Sequence, residues 1–232
     1  MNLYSIKRSV KLAIRAYKDW FGRIIFAKKT DNSLDFSFFY QIKQEIKASA
    51  FFEEKLYNIT RAAGKIHNTI VQPNEVFSFW KLVGNPDIDF KKSRSIRNGK
   101  IFYETGGGLC QVAGILHQVC LHIGLKIKER YAHSIDLYLR EEDRFAPLGT
   151  DATVVFGWKD FRFINSKNHP IQILLFVKDN QLVVQLRSDV ALSPLVLKQE
   201  IIYQEQKKEV IWYDEKNQII NQSVYQFLAK GE

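Results

Sequence analysis

Residues 106–124 read GGGLCQVAGILHQVCLHIG, and the fold turns on how that stretch is read. Three consecutive glycines let the backbone take positive φ and approach a neighbour closely, because no Cβ stands in the way. An apolar pattern of helical period starts straight after them. Val112, Ile115, Leu116, Val119 and Cys120 recur at three- and four-residue steps and predict one buried stripe. Gly124 ends the helix, as a glycine just past the last turn commonly does. Cys110 then falls in the first helical turn, where unpaired N–H groups and the positive dipole end favour a thiolate. A glycine turn that delivers a cysteine to a helix start predicts a nucleophile. The plainer alternative is a small buried residue behind a tight turn.

Working outward, residues 125–139 read as a strand. Tyr131, His133, Ile135 and Leu137 would share one face, and Ala132, Ser134, Asp136 and Tyr138 the other. Residues 141–150 are turn-rich, and Asp151 opens a further strand. The chain order of cysteine on a helix start, histidine on a strand and aspartate on the next resembles that of papain-like and transglutaminase-like enzymes. Cys110, His133 and Asp151 are accordingly the expected triad: thiolate nucleophile, proton carrier and tautomer-fixing carboxylate. Asp136 is the rival carboxylate. His117 lies two turns beyond Cys110, about 10 Å along the axis at ~1.5 Å per residue, too far to be the base. His67, His122 and His169 fit less well. Cys110 and Cys120 are roughly 15 Å apart on the same helix, which excludes a disulfide or a shared metal. No close Cys or His pair has zinc spacing, so no metal is expected.

The chain also carries a set of short blocks in a fixed order. They are Asn68-Thr69-Ile70, Pro73-Asn74-Glu75-Val76-Phe77-Ser78-Phe79, Val83-Gly84, Asn98-Gly99-Lys100 and Gly106 to Gln111. After these come Gly124-Leu125-Lys126-Ile127 with Glu129-Arg130, then His133-Ser134 and Asp151-Ala152-Thr153-Val154. Asp160-Phe161-Arg162-Phe163-Ile164-Asn165 and Pro170-Ile171 complete the series. Over about residues 66–187 the sequence resembles the VanW family, named from vancomycin-resistance gene clusters. Some members of that family resemble L,D-transpeptidases that use the domain's cysteine. The resemblance implies acyl transfer on peptidoglycan stem peptides through a Cys110 thioester, with no cofactor. It makes Gly107, Gly108, Gln111 and Ser134 candidate oxyanion or substrate contacts, beside the backbone N–H of Cys110. Two departures touch the expected substrate groove: Trp80 where the family commonly has asparagine, and Val112-Ala113-Gly114 where many members are serine-rich.

Hydrophobic residues make up 46% of the 232 positions and aromatics 13%, enough for a packed core and unlike a disordered chain. The net charge of +9 is concentrated: residues 1–30 hold eight Lys and Arg against one acid, Asp19. In that segment Leu3, Ile6, Val10, Ala13, Ile14, Tyr17, Trp20, Phe21 and Ile24 recur at helical spacing, opposite Arg8, Lys11, Arg15 and Lys18. Two placements fit such a helix. Its apolar face packs on the domain, the commoner arrangement, or it lies on an anionic membrane. Charges interrupt the segment too often for a signal peptide, and no run approaches the ~20 apolar residues of a membrane span. The expected location is therefore cytoplasmic or peripheral at the inner membrane face, with action outside the cytoplasm left open by the wall-directed resemblance. No nucleic-acid motif accompanies the basic helix, so no nucleic-acid partner is expected. A second basic cluster, Lys91, Lys92, Arg94, Arg97 and Lys100, has the charge to hold a substrate carboxylate, Arg94 and Arg97 foremost.

The expected organisation is α+β: a central cysteine-bearing helix on an antiparallel sheet, with a helical N-terminal extension. The extension spans residues 1–65, with helices at 1–30, 36–52 and 53–67. The VanW-like domain spans 66–190, and strands in 191–232 complete it. Asp179-Asn180 and residues 214–217 are expected hairpin turns. Three functions compete: a cysteine acyltransferase, a non-catalytic module that binds wall peptides, and a membrane-docked scaffold.

Overall fold

The computed structural model describes residues 3–31, 36–97, 100–136, 138, 141 and 144–227, with the backbone alone for 94–97 and 100–102. The chain opens with α1 (Leu3–Phe21), β1 (Lys28–Lys29), β2 (Phe38–Glu45) and α2 (Phe52–Ile66). Next come β3 (Thr69–Val71), β4 (Val76–Ser78), α3 (Phe79–Val83) and α4 (Pro86–Asp89). The hairpin β5 (Lys92–Arg97) and β6 (Lys100–Thr105) leads into α5 (Leu109–Ile123). The remainder is strand: β7 (Lys126–Glu129), β8 (Arg162–Ile164), β9 (Ile171–Lys178), β10 (Gln181–Ser188), β11 (Lys198–Tyr203), β12 (Lys207–Tyr213) and β13 (Ile219–Gln226). The class is α+β, and every named strand pair is antiparallel.

The main sheet runs β1-β3-β9-β10-β2, and α2 and α5 pack on it. β9 and β10 form a hairpin whose turn residues Asp179 and Asn180 both take positive φ, the geometry that matches the twist of the flanking strands. A smaller sheet, β4-β8-β7, buries Phe77, Phe161 and Phe163; Phe77 and Phe163 stack at 4.9 Å. Each such buried ring stabilises the fold by about 1.5–3 kcal/mol. A third sheet, β11-β12-β13, has its own apolar cluster of Leu148, Val210, Trp212 and Tyr225. The turn between β12 and β13 is held by Asp214, whose carboxylate accepts from Lys216 N and Gln218 N.

Three readings of the sequence are corrected here. Residues 38–45 are not helical: β2 pairs along its whole length with β10. It is also tied to α5, because Gln44 Nε2 donates to Gln118 and Gln111 Nε2 donates to Glu45 O. These long-range bonds decide a segment whose local pattern is ambiguous. α5 is buried on nearly every face, not along one stripe. Its remaining sides are covered by α2 and by the segment at 151–152, which passes within van der Waals distance of Gly114. Finally, the strand after α5 stops at Glu129, and residues 151–154 belong to no strand. Both segments run outside any named strand, joined by the bond from Thr153 N to Tyr131 O. Leu137 and Leu139 lie outside the described residues.

The first helix forms as expected but faces the other way. Its charged side docks on the body: Arg8 pairs with Asp87, Arg15 with Glu129, and Asp19 with buried Arg162. Its apolar side points to solvent. No helix among the described residues is long and apolar enough to cross a membrane.

Candidate active site

α5 begins where Gly108, at φ 98°, serves as N-cap, a conformation that L side chains avoid. A Cβ there would also come within 3.0 Å of Ile59 on α2. Asn58, fully buried on α2, pins this turn. Its amide donates to Lys91 O and Gly107 O, and its carbonyl accepts from Lys91 N. Cys110 is thereby placed second in α5, half-buried, with its sulfur 3.9 Å from Val154 O.

Asp151 and His133 meet beside it. His133 Nδ1 lies 2.5 Å from Asp151 Oδ2, and His133 N donates to the same oxygen at 2.7 Å. With Nδ1 against Asp151, Nε2 is the ring nitrogen left for the sulfur, and Cys110 is among the groups that favour the imidazolium. Burial disfavours the imidazolium, but the hydrogen bonds and charges of Asp151 and Cys110 outweigh it and raise the pKa from 6.5 to about 10. Burial alone would raise the Asp151 pKa; instead His133, Arg130 and Tyr225 hold the carboxyl well below its usual range. The carboxylate therefore stays ionised and orients the imidazole. The rival Asp136 is engaged elsewhere, paired with Arg144 at 2.5 Å and with Lys208.

Two positioning residues were not singled out from the sequence. Arg130 follows β7 and spreads its guanidinium over Asp151 Oδ1, Asp151 O, Gly149 O and Ser223 Oγ at 2.7–3.1 Å. Tyr225 of β13 donates its hydroxyl to Asp151 Oδ1. Its pairing partner is distant in sequence, so no local pattern marks it. His117 is the third support. Burial, with the charge of Arg130, lowers its pKa to about 3, so it is neutral and donates from Nδ1 to Thr150 O, next to Asp151.

The match to a family model settles the lineage: residues 54–187 fit the family described as VanW like protein. The chain belongs to the VanW family. It is 33% identical over 139 residues to the vancomycin B-type resistance protein VanW of Enterococcus faecalis, which covers 59% of this chain and 50% of that one. It is 37% identical over 123 residues to the uncharacterized protein YoaR of Bacillus subtilis, covering 52% and 39%. The chain thus spans half or less of the length of these relatives in the matched region. No solved structure matches. All three members of the cluster fall inside the VanW match, whereas Tyr225 and Ser223 come from the C-terminal sheet beyond it.

The other expected contacts of the VanW site divide. Gln111 turns away from the sulfur: its backbone N–H donates to Gly108 O and its side chain to Glu45 O. The Gly107 carbonyl is held by Asn58, and Ser134 O accepts from Gln226 N. The side chains of Arg94 and Arg97 lie outside the described residues, as do Asn98 and Gly99. Trp80 is part of the frame, donating from Nε1 to Lys159 O and packing edge-on against Phe156. Cys120 is fully buried, and burial pushes its thiol pKa up.

The shifts carry a stability prediction. A histidine whose folded pKa exceeds 6.5 stabilises fully below about pH 6.5 and loses that contribution as pH rises toward 10. A depressed carboxyl stabilises above its ordinary value of 3.8 and loses that contribution on acidification. The pair therefore contributes most between those two limits. Urea unfolding at pH 6, 8 and 10 checks this: the stability difference between wild type and His133→Asn is largest at pH 6 and shrinks steadily by pH 10. A difference independent of pH contradicts it.

Proposed function

We propose that this protein is a cysteine acyltransferase acting on peptidoglycan stem peptides, in the manner of an L,D-transpeptidase. The supporting observation is the His133 imidazole held on a part-buried, four-bonded Asp151 beside Cys110. The Cys110 thiolate adds to a peptide carbonyl of the donor stem. The backbone N–H of Cys110 is the proposed oxyanion donor, since first-turn N–H groups have no intrahelical partner. His133 gives its Nε2 proton to the leaving amine as the C–N bond breaks, and a thioester remains. The amine of a second stem then loses its proton to His133 and attacks the thioester, which re-forms the thiolate and a new amide. The likeness to a vancomycin B-type resistance protein of Enterococcus supports a role in glycopeptide resistance.

Intact-mass analysis after incubation with a stem tetrapeptide tests the reading. The wild type gains a hydroxylamine-labile acyl adduct and Cys110→Ala gains none. Peptide binding with equal affinity in wild type and Cys110→Ser, and no adduct in either, assigns the protein to a binding module instead.

A further inference from the structure

The first helix is inverted relative to an ordinary surface helix. Arg8, Leu12, Arg15 and Asp19 repeat at four- and three-residue steps and face the body, with Asp19 buried against Arg162 at 2.7 Å. The opposite stripe, Leu3, Ile6, Val10, Ile14, Tyr17 and Phe21, lies in solvent, with Leu3 67% and Phe21 74% exposed. Trp20, 75% exposed, extends it at the C-terminal end. A polar docked face with an apolar outer face is the reverse of what burial favours in water.

Charge supplies the second argument. The only acid of residues 1–30 is consumed by Arg162, and Arg8 and Arg15 are paired inward. At 100° per residue, Lys7, Lys11 and Lys18 line one border of the apolar stripe, and all three are exposed. Arg23 and Lys28 continue the exposed basic charge past the helix. An apolar stripe with aromatics, edged by lysines, complements the acyl–headgroup boundary of an anionic membrane. We infer that α1 docks the protein on an anionic lipid surface, lying in its plane with Val10 and Ile14 at the centre of the buried stripe. This does not rest on the acyl-transfer reading.

Sedimentation of the full chain with phosphatidylglycerol–phosphatidylcholine vesicles is the test. The wild type partitions to these vesicles, and at least tenfold less to phosphatidylcholine alone or at high salt. The double variant Val10→Asp, Ile14→Asp, which touches none of the docking ion pairs, loses at least tenfold in partitioning while its Cys110 alkylation rate stays at the wild-type value. Undiminished partitioning of the variant, or equal binding to uncharged vesicles, overturns the inference. So does a dimer in solution that the variant splits and that ignores vesicles, which would make the occupant a second copy of the chain.

Discussion

Alkylation of Cys110 by iodoacetamide at pH 7 falls at least tenfold when His133 is replaced by Ala, with the fold retained. The thiolate is the species that alkylates, and in general a cation beside a sulfur favours it. An adjacent opposite charge changes the population of an ionised neighbour by roughly ten- to a thousandfold. The imidazole is well placed to supply that charge, because its pKa of about 10 keeps it protonated at neutral pH. Cys120 does not confuse the measurement: it is fully buried and its thiol pKa is raised. Asp151→Asn gives a smaller loss of the same sign, since the imidazole keeps its contact with the sulfur but loses its strongest anionic partner. An alkylation rate unchanged in His133→Ala would remove His133 from the proposed mechanism and leave Cys110 as a structural thiol.

Arg130→Ala is expected to be the most destabilising single change at the site, costing roughly 3–5 kcal/mol. The guanidinium side chain is 7% exposed, and it satisfies the Asp151 carboxylate, two backbone carbonyls and Ser223 together. Removing it leaves a largely buried anion with fewer partners and the Asp151 carbonyl without its donor, while Gly149 O keeps only Asn221. It also cuts a connection between the cysteine-bearing core and β13. Arg130→Lys recovers part of the loss, because one ammonium cannot reproduce the planar fork. Tyr225→Phe removes a single hydroxyl donor and costs about 1 kcal/mol. Urea denaturation of the three variants gives the order directly. An Arg130→Ala cost no larger than that of Tyr225→Phe would mean that water replaces the guanidinium and that Asp151 is not held as described.

These two results bear on the C-terminal sheet. It lies beyond the VanW match, yet Tyr225 donates to Asp151, Ser223 accepts from Arg130, and Gln226 N donates to Ser134 O beside His133. The sheet is therefore built into the orientation of the imidazole and is more than an appended module.

The local pattern of residues 106–124 was enough to place a helix after the glycines and end it at Gly124, because glycine conformation and apolar period act within a few residues. The Asp179-Asn180 turn and the three C-terminal strands were legible for the same reason. The short ordered blocks carry the family by themselves, because each is a local run of residues. What the chain could not disclose locally was decided by partners far away in sequence. Residues 38–45 became a strand because β10 offered a ladder and α5 offered hydrogen bonds. The choice between Asp151 and Asp136 was made by Arg144 and Lys208, which occupy the latter. The helical period of α1 was written in its sequence, but which side faces inward was set by Asp87, Glu129 and Arg162, whose ion pairs hold the charged face against the body. Periodicity specifies that two faces differ; only the surface they meet determines which one is buried.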